Sequence, residues 1–263
     1  LYRIQNSAKK SNKKANISFR VNPYVDPKTH QYISTGLKDN KFGVDEQKAI
    51  SMYKIAKTLD AINIKGIDCH IGSQITELKP FEDSIKKLLE LIDHLESLNI
   101  KIEHIDVGGG IGIQYSKETP PSFYEYSKTV KNIIGNRNLK VIFEPGRVLI
   151  GKAGILLTEV EYVKNSSDKN FLIVNAAMND LMRPALYQAF HEIINISQSN
   201  SDKKNYDVVG PVCETGDFLG KDRFMSAEEK NILAILDVGA YGMSMSSNYN
   251  LSLIHISEPT RQF

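Results

Sequence analysis

The first half of the chain alternates two spacings of apolar residues. Ile17 to Asn22 alternates apolar and polar positions, as a half-buried strand does, and Asp45 to Ile62 carries Ala49, Ile50, Tyr53, Ala56 and Leu59 at helical spacing. A short apolar strand at Ile67 to Ile71 then precedes a helix from Pro80, with Phe81, Ile85, Leu88, Leu89, Ile92 and Leu95 on one face. A third strand, Ile102 to Val107, runs into Gly108-Gly109-Gly110, and a helix over Ser122 to Ile134 turns Phe123, Tyr126, Val130 and Ile133 inward. A fourth strand, Val141 to Phe143, ends at Glu144-Pro145-Gly146-Arg147. Strands alternating with helices in this way specify an α/β fold with a parallel sheet, either half of a (β/α)₈ barrel or part of a doubly wound sheet.

The texture changes after residue 150. The segments Ile155 to Val163, Phe171 to Asn175, Tyr206 to Val209 and Ile232 to Val238 read as strands, which predicts a second, β-rich domain over residues 151–250 following a domain over residues 1–150. The opening basic run, Arg3, Lys9, Lys10, Lys13 and Lys14, reads as a solvated face or loop.

Composition adds mainly exclusions. With 263 residues, 33 Lys+Arg against 31 Asp+Glu and a formal net charge of +2, the chain lacks the basic excess of a nucleic-acid or anionic-membrane binder. Its longest apolar runs, such as Gly154 to Leu157, fall far below the roughly 18 residues of a spanning helix. No apolar signal-peptide core opens the chain. The two cysteines, Cys69 and Cys213, form no CxxC and no cluster at metal spacing, so neither a disulfide framework nor a structural zinc site is expected, and the reducing cytoplasm fits.

In parallel α/β folds chemistry gathers at the C-terminal ends of strands. Three predicted strand ends carry polar or glycine-rich signals: His70-Ile71-Gly72-Ser73-Gln74, the triple glycine, and Glu144-Pro145-Gly146-Arg147. Glycines at 108, 109, 110 and 112 let backbone N–H groups approach an anion, but GGGIG is not the dinucleotide GxGxxG, so a phosphate without a nucleotide fits better than NAD. The Pro145-Gly146 turn fixes the orientations of Glu144 and Arg147.

Read in order, the motifs resemble the diaminopimelate decarboxylase family, fold-type III enzymes dependent on pyridoxal 5'-phosphate (PLP). They are Ser34-Thr35-Gly36 with Lys41-Phe42-Gly43, HIGSQ at 70–74, DVGGGIG at 106–112, EPGR at 144–147, Met178-Asn179-Asp180-Leu181 with RPALY at 183–187, GPVCE at 210–214 and GAYG at 239–242. The resemblance implies the C-terminal half of a PLP-binding (β/α)₈ barrel followed by an incomplete β-rich domain, and decarboxylation of meso-2,6-diaminopimelate to L-lysine. Gly109, Gly110 and Ser73 would hold the cofactor phosphate, His70 would lie against its ring, and Glu144 would face the ring nitrogen. Pro145, Gly146 and Arg147 complete that turn. The resemblance makes Arg147, Arg183 and Tyr187 substrate-binding, gives Glu214 the amino group at the far stereocentre, makes Cys213 the catalytic proton donor, and has Tyr241 touch both cofactor and substrate. It also implies an obligate homodimer, with Cys213 and Glu214 reaching the partner's site.

Two departures accompany the resemblance. No lysine here matches the family's cofactor-attaching lysine, which lies on an earlier barrel strand; Lys38, Lys41 and Lys152 sit in other motifs. The expectation is therefore an internal fragment, inactive alone. Residues 251–263 do not continue the family pattern, so they read as a non-native tail and His255 is set aside as a ligand. Asn175 and Ala177 stand where the family usually has Asp and Gly. The alternatives are a related decarboxylase of arginine, ornithine or carboxynorspermidine, or a non-catalytic relative.

Overall fold

The computed structural model describes residues 1–26 and 41–251, in two compact units. Ser34-Thr35-Gly36, Lys38 and nearly all of the 251–263 tail, His255 included, lie outside the described residues. The first unit comprises Leu1–Gly112 and Thr119–Gly146. The second contains Ile113–Glu118 and the described residues from Arg147 onward.

The first unit is built on four parallel strands, β1 (Ala15–Arg20), β2 (Ile62–Asp68), β3 (His104–Asp106) and β4 (Lys140–Ile142), hydrogen-bonded in the order β1-β2-β3-β4. The sequential order matches the barrel architecture. A doubly wound sheet reverses its strand order at a switch point, whereas here every crossover adds its strand on the same side, as in the arc of a (β/α) barrel.

Helix α1 (Tyr2–Lys10) precedes the first strand, and its basic residues form the solvated side of a helix that buries Gln5 and Ala8. The crossovers are α2 (Glu46–Lys57), α3 (Lys79–Ser97) and α4 (Phe123–Ile134). Asp45 caps α2 by accepting from the Lys48 amide at 2.8 Å, and Tyr53 on its buried face donates to the Gly66 carbonyl at 2.7 Å, tying helix to β2. On α3 the predicted stripe Phe81, Ile85, Leu88, Ile92 and Leu95 is buried, each such side chain contributing about 1.5–3 kcal/mol. Ser122 and Glu125 form a capping box on α4.

Two local expectations need correction. The helix at 45–62 ends at Lys57, and β2 starts at Ile62, five positions before the apolar run at Ile67. On α4 the buried residues are Tyr126, Val130 and Ile134, while Phe123 in the first turn is exposed.

The second unit begins with a short helix, α5 (Arg147–Ile150), and a 3₁₀ turn over Gly151–Ala153. Strands β5 (Leu156–Asn165) and β6 (Asn170–Val174) follow, then α6 (Met182–Tyr187), β7 (Ile193–Asn195), β8 (Lys204–Val209), β9 (Phe218–Met225) and β10 (Ile232–Ile235). The six strands run in the order β7-β10-β5-β6-β8-β9, antiparallel except for β6 with β8. The sheet curls until its end strands approach: Asn195 on β7 donates to the Ser226 carbonyl just past β9 at 2.9 Å. Val160, Leu172, Val174, Val208, Leu219, Leu233 and Ile235 fill the interior. Among the described residues no helix is long and apolar enough to cross a membrane.

Candidate active site

In the first unit three strand ends meet through glycine. The Gly108 amide donates to Asp106 Oδ1 at 2.9 Å, the Gly109 amide to His70 Nδ1 at 3.2 Å, and the Glu144 amide to the Gly108 carbonyl at 2.9 Å. A Cβ at Gly109 would stand 2.1 Å from the Glu144 carbonyl oxygen, and one at Gly110 would stand 2.3 Å from that of Gly72. Gly108 and Gly110 also adopt φ of +69° and +106°, which L side chains resist. Only glycine allows the loops after β2, β3 and β4 this approach.

His70 Nδ1 therefore accepts a hydrogen bond from the backbone, which assigns the ring's own proton to Nε2. Burial, then the charge of Arg20, lower its pKa, with Asp106 opposing. The neutral ring is half-buried beside the glycine loop. Behind it, burial raises the pKa of Asp68; Ser18 Oγ lowers it by donating at 3.0 Å, and the charges of Asp106 and Glu144 raise it further. Arg20 Nη2 donates to the His70 carbonyl at 3.3 Å. Ser18, Arg20, Asp68 and Asp106 were not singled out from the sequence. The available signal was the alternation of Ser18 and Arg20, which places both on one face of β1. Ser73 lies half-buried between Gly72 and Gln74, and Gln74 has φ +59°.

In the second unit the predicted arginines gather around an aromatic ring. Arg147, first residue of α5, is buried and donates from Nη1 to Tyr115 Oη at 2.8 Å. Its guanidinium also lies 4.9 Å from the Tyr241 ring centroid. Arg183 and Tyr187 stand one turn apart on α6. The buried Arg183 guanidinium lies 4.7 Å from the Tyr115 centroid, and its Nη1 is 2.7 Å from Nε2 of the fully buried His191. Burial lowers the Arg183 pKa, with Tyr115 opposing and Arg147 reinforcing, yet a guanidinium so placed stays charged.

Cys213 and Glu214 are exposed on the loop after β8. The buried carboxylate of Asp217 anchors that loop, accepting from the Met178 amide at 2.6 Å and the Val212 amide at 2.8 Å. Tyr249 Oη donates to Glu214 Oε1, which with the Glu214 charge raises the Tyr249 pKa. Sequence reasoning missed Tyr115, His191, Asp217 and Tyr249, because no motif marks them and the fold supplies their contacts, among them Tyr115 with Arg147, His191 with Leu236, Asp217 with Met178 and Tyr249 with Glu214. Among the described residues no group of His, Cys, Asp or Glu is arranged to hold a metal.

The family model of the pyridoxal-dependent decarboxylases, pyridoxal binding domain, matches residues 1–151. The chain belongs to the pyridoxal-dependent decarboxylase family. Within it, the chain is 51% identical over 251 residues to diaminopimelate decarboxylase of Vibrio cholerae and 52% identical over 248 residues to that of Neisseria meningitidis, covering 95% and 94% of this chain. It spans 60–61% of the length of those relatives. A crystal structure of diaminopimelate decarboxylase from Helicobacter pylori, complexed with L-lysine, superposes with a TM-score of 0.89 at 42% identity, over 94% of this chain and 62% of that one.

The first unit fits the cofactor of this family. A loop whose three glycines tolerate no Cβ offers bare backbone to a phosphate, and a neutral imidazole and an exposed carboxylate stand at the neighbouring strand ends. Gly109→Ala is expected to displace the loop and weaken PLP retention at least about tenfold. Cofactor content by visible absorbance after dialysis checks this, and wild-type retention would refute the loop's part in binding.

Proposed function

We propose that this chain is part of an enzyme that decarboxylates meso-2,6-diaminopimelate to L-lysine and CO2, the last step of lysine biosynthesis, in the cytoplasm. In this reading residues 1–150 belong to a (β/α)₈ barrel that binds PLP, and residues 151–250 belong to a β domain. His70, Ser73, Gly109, Gly110 and the turn from Glu144 to Arg147 hold the cofactor, which when bound supplies a sink for the electron pair left as CO2 departs. The carboxylate of Glu144 would face the ring nitrogen of the bound cofactor and favour its protonated form.

One observation carries the substrate assignment: Arg183 is buried against neutral partners, Tyr115 and His191, so its charge remains available to an incoming carboxylate. Diaminopimelate has a second amino-acid centre that survives decarboxylation intact. Arg147, Arg183 and Tyr187 bind its carboxylate, Glu214 binds its ammonium, and Tyr241 closes on the aliphatic chain. Cys213 Sγ delivers the proton that replaces CO2 on carbon. The exposure of Cys213 and Glu214 in the single chain supports a homodimer in which they serve the partner's site.

Turnover of meso-diaminopimelate by the full-length protein in D2O tests this reading. One deuterium per L-lysine is expected, and Cys213→Ala is expected to slow its incorporation by about 10²-fold or more without loss of PLP. Unchanged turnover in the variant would remove Cys213 from the mechanism.

A further inference from the structure

His191 is fully buried and both of its ring nitrogens are engaged. Nδ1 lies 2.8 Å from the Leu236 carbonyl oxygen, which can only accept, so Nδ1 carries the proton and donates. Nε2 is then left with its lone pair, and it accepts from Arg183 Nη1 at 2.7 Å. The backbone around the ring is tied down as well: the Leu236 amide donates to the Glu192 carbonyl at 2.8 Å, and Arg223 Nη2 to the His191 carbonyl at 3.0 Å. Burial is the main cause that pushes the imidazole down to about 4, with the Leu236 carbonyl opposing and Arg183, Arg147 and Arg223 reinforcing. The ring is thus neutral near pH 7.

The imidazole also packs edge-on against Tyr115, with centroids 5.2 Å apart and planes at 75°. Arg183 is consequently held on two sides, by the Tyr115 ring and by Nε2 of His191. Neither neighbour carries a charge that would neutralise it. A carboxylate at position 191 would orient the guanidinium equally well but would occupy its fork and repel the substrate's carboxylate. A neutral acceptor orients without neutralising.

We propose that His191 is a positioning residue for substrate recognition: anchored through Nδ1 to the Leu236 carbonyl, it fixes the plane of the Arg183 guanidinium while leaving its charge free for a substrate carboxylate. The inference rests on the reading that Arg183 binds that carboxylate.

Asparagine and glutamine separate the two ring nitrogens, because the Asn amide reaches the place of Nδ1 and the Gln amide that of Nε2. In the full-length PLP-loaded protein, His191→Asn should keep the Leu236 anchor, lose the acceptor for Arg183, and raise both the KM for meso-diaminopimelate and the calorimetric Kd for L-lysine about tenfold or more. PLP content should stay unchanged and kcat should change far less than KM. His191→Gln should restore Kd to near the parent value. In an Arg183→Ala background, His191→Asn should add no further loss.

Equal loss in both variants, or additive losses in the double variant, would reduce His191 to a packing residue and overturn the inference. If the Asn variant does not fold, His191→Leu takes its place beside His191→Gln: a raised Kd in the Leu variant with a near-parent Kd in the Gln variant supports the role, and equal Kd values in the two overturn it. Arg183→Ala with unchanged KM and Kd would instead overturn the substrate reading itself, whatever position 191 does.

Discussion

Replacing Glu144 by Ala in the full-length protein is expected to lower kcat about 10²–10³-fold while PLP remains bound, the scale of removing one preorganised electrostatic group from a reacting centre. The residue stands just past β4, and its backbone is fixed by donation from its amide to the Gly108 carbonyl at 2.9 Å. Its carbonyl oxygen faces Gly109 so closely that no Cβ fits between them. The carboxylate itself stays exposed, and its charge reaches Asp68, whose pKa it raises. A negative group held at one place by rigid backbone is what a protonated ring nitrogen requires. Glu144→Gln keeps the shape and removes the charge, so it should lose nearly as much. Steady-state kcat beside the cofactor's absorbance checks both variants. Parent-like turnover in the Gln variant would show that the charge is not used.

Arg183→Ala should raise KM for meso-diaminopimelate at least about 30-fold, equivalent to about 2 kcal/mol for losing a buried charged hydrogen bond. Cofactor content should not follow. The guanidinium is buried on α6 against Tyr115 and His191, so truncation also leaves the acceptor of His191 unanswered. Lysine is a poor replacement, because its point charge cannot present the planar fork that a carboxylate and the Tyr115 ring both match. Competition by L-lysine separates the possibilities: weaker inhibition with intact PLP supports the assignment, whereas equal loss of substrate and cofactor binding contradicts it.

Much of this was legible in the sequence, for identifiable reasons. The α3 stripe shows plainly because nineteen helical residues repeat one period against a buried surface. The strand ends at 70, 108 and 144 were marked by glycine and by the Pro145-Gly146 turn, signals that local chemistry alone produces. The start of β2 was hidden because the helical spacing of α2 was carried on to Ile62, over the alternation of Ile62 to Lys65, and α6 because its six residues are too few to show a period. Phe123 misled because it continues the spacing of Tyr126 and Val130 into the first turn of α4, which stays exposed. Tyr115 and His191 were invisible for a different reason: the Tyr115 hydroxyl meets Arg147 across 32 positions, and His191 meets Leu236 across 45 and Arg183 only around the end of α6. No local pattern records such contacts.

The most direct test is to supply the full-length, PLP-loaded protein with meso-diaminopimelate, L-ornithine and L-arginine separately and measure CO2 release and amine product for each. Equimolar CO2 and L-lysine from meso-diaminopimelate, at a kcat/KM at least about 10³-fold above the other two, is the predicted result, since neither competitor carries a second carboxylate for Arg183. Decarboxylation of ornithine or arginine with meso-diaminopimelate untouched would contradict it.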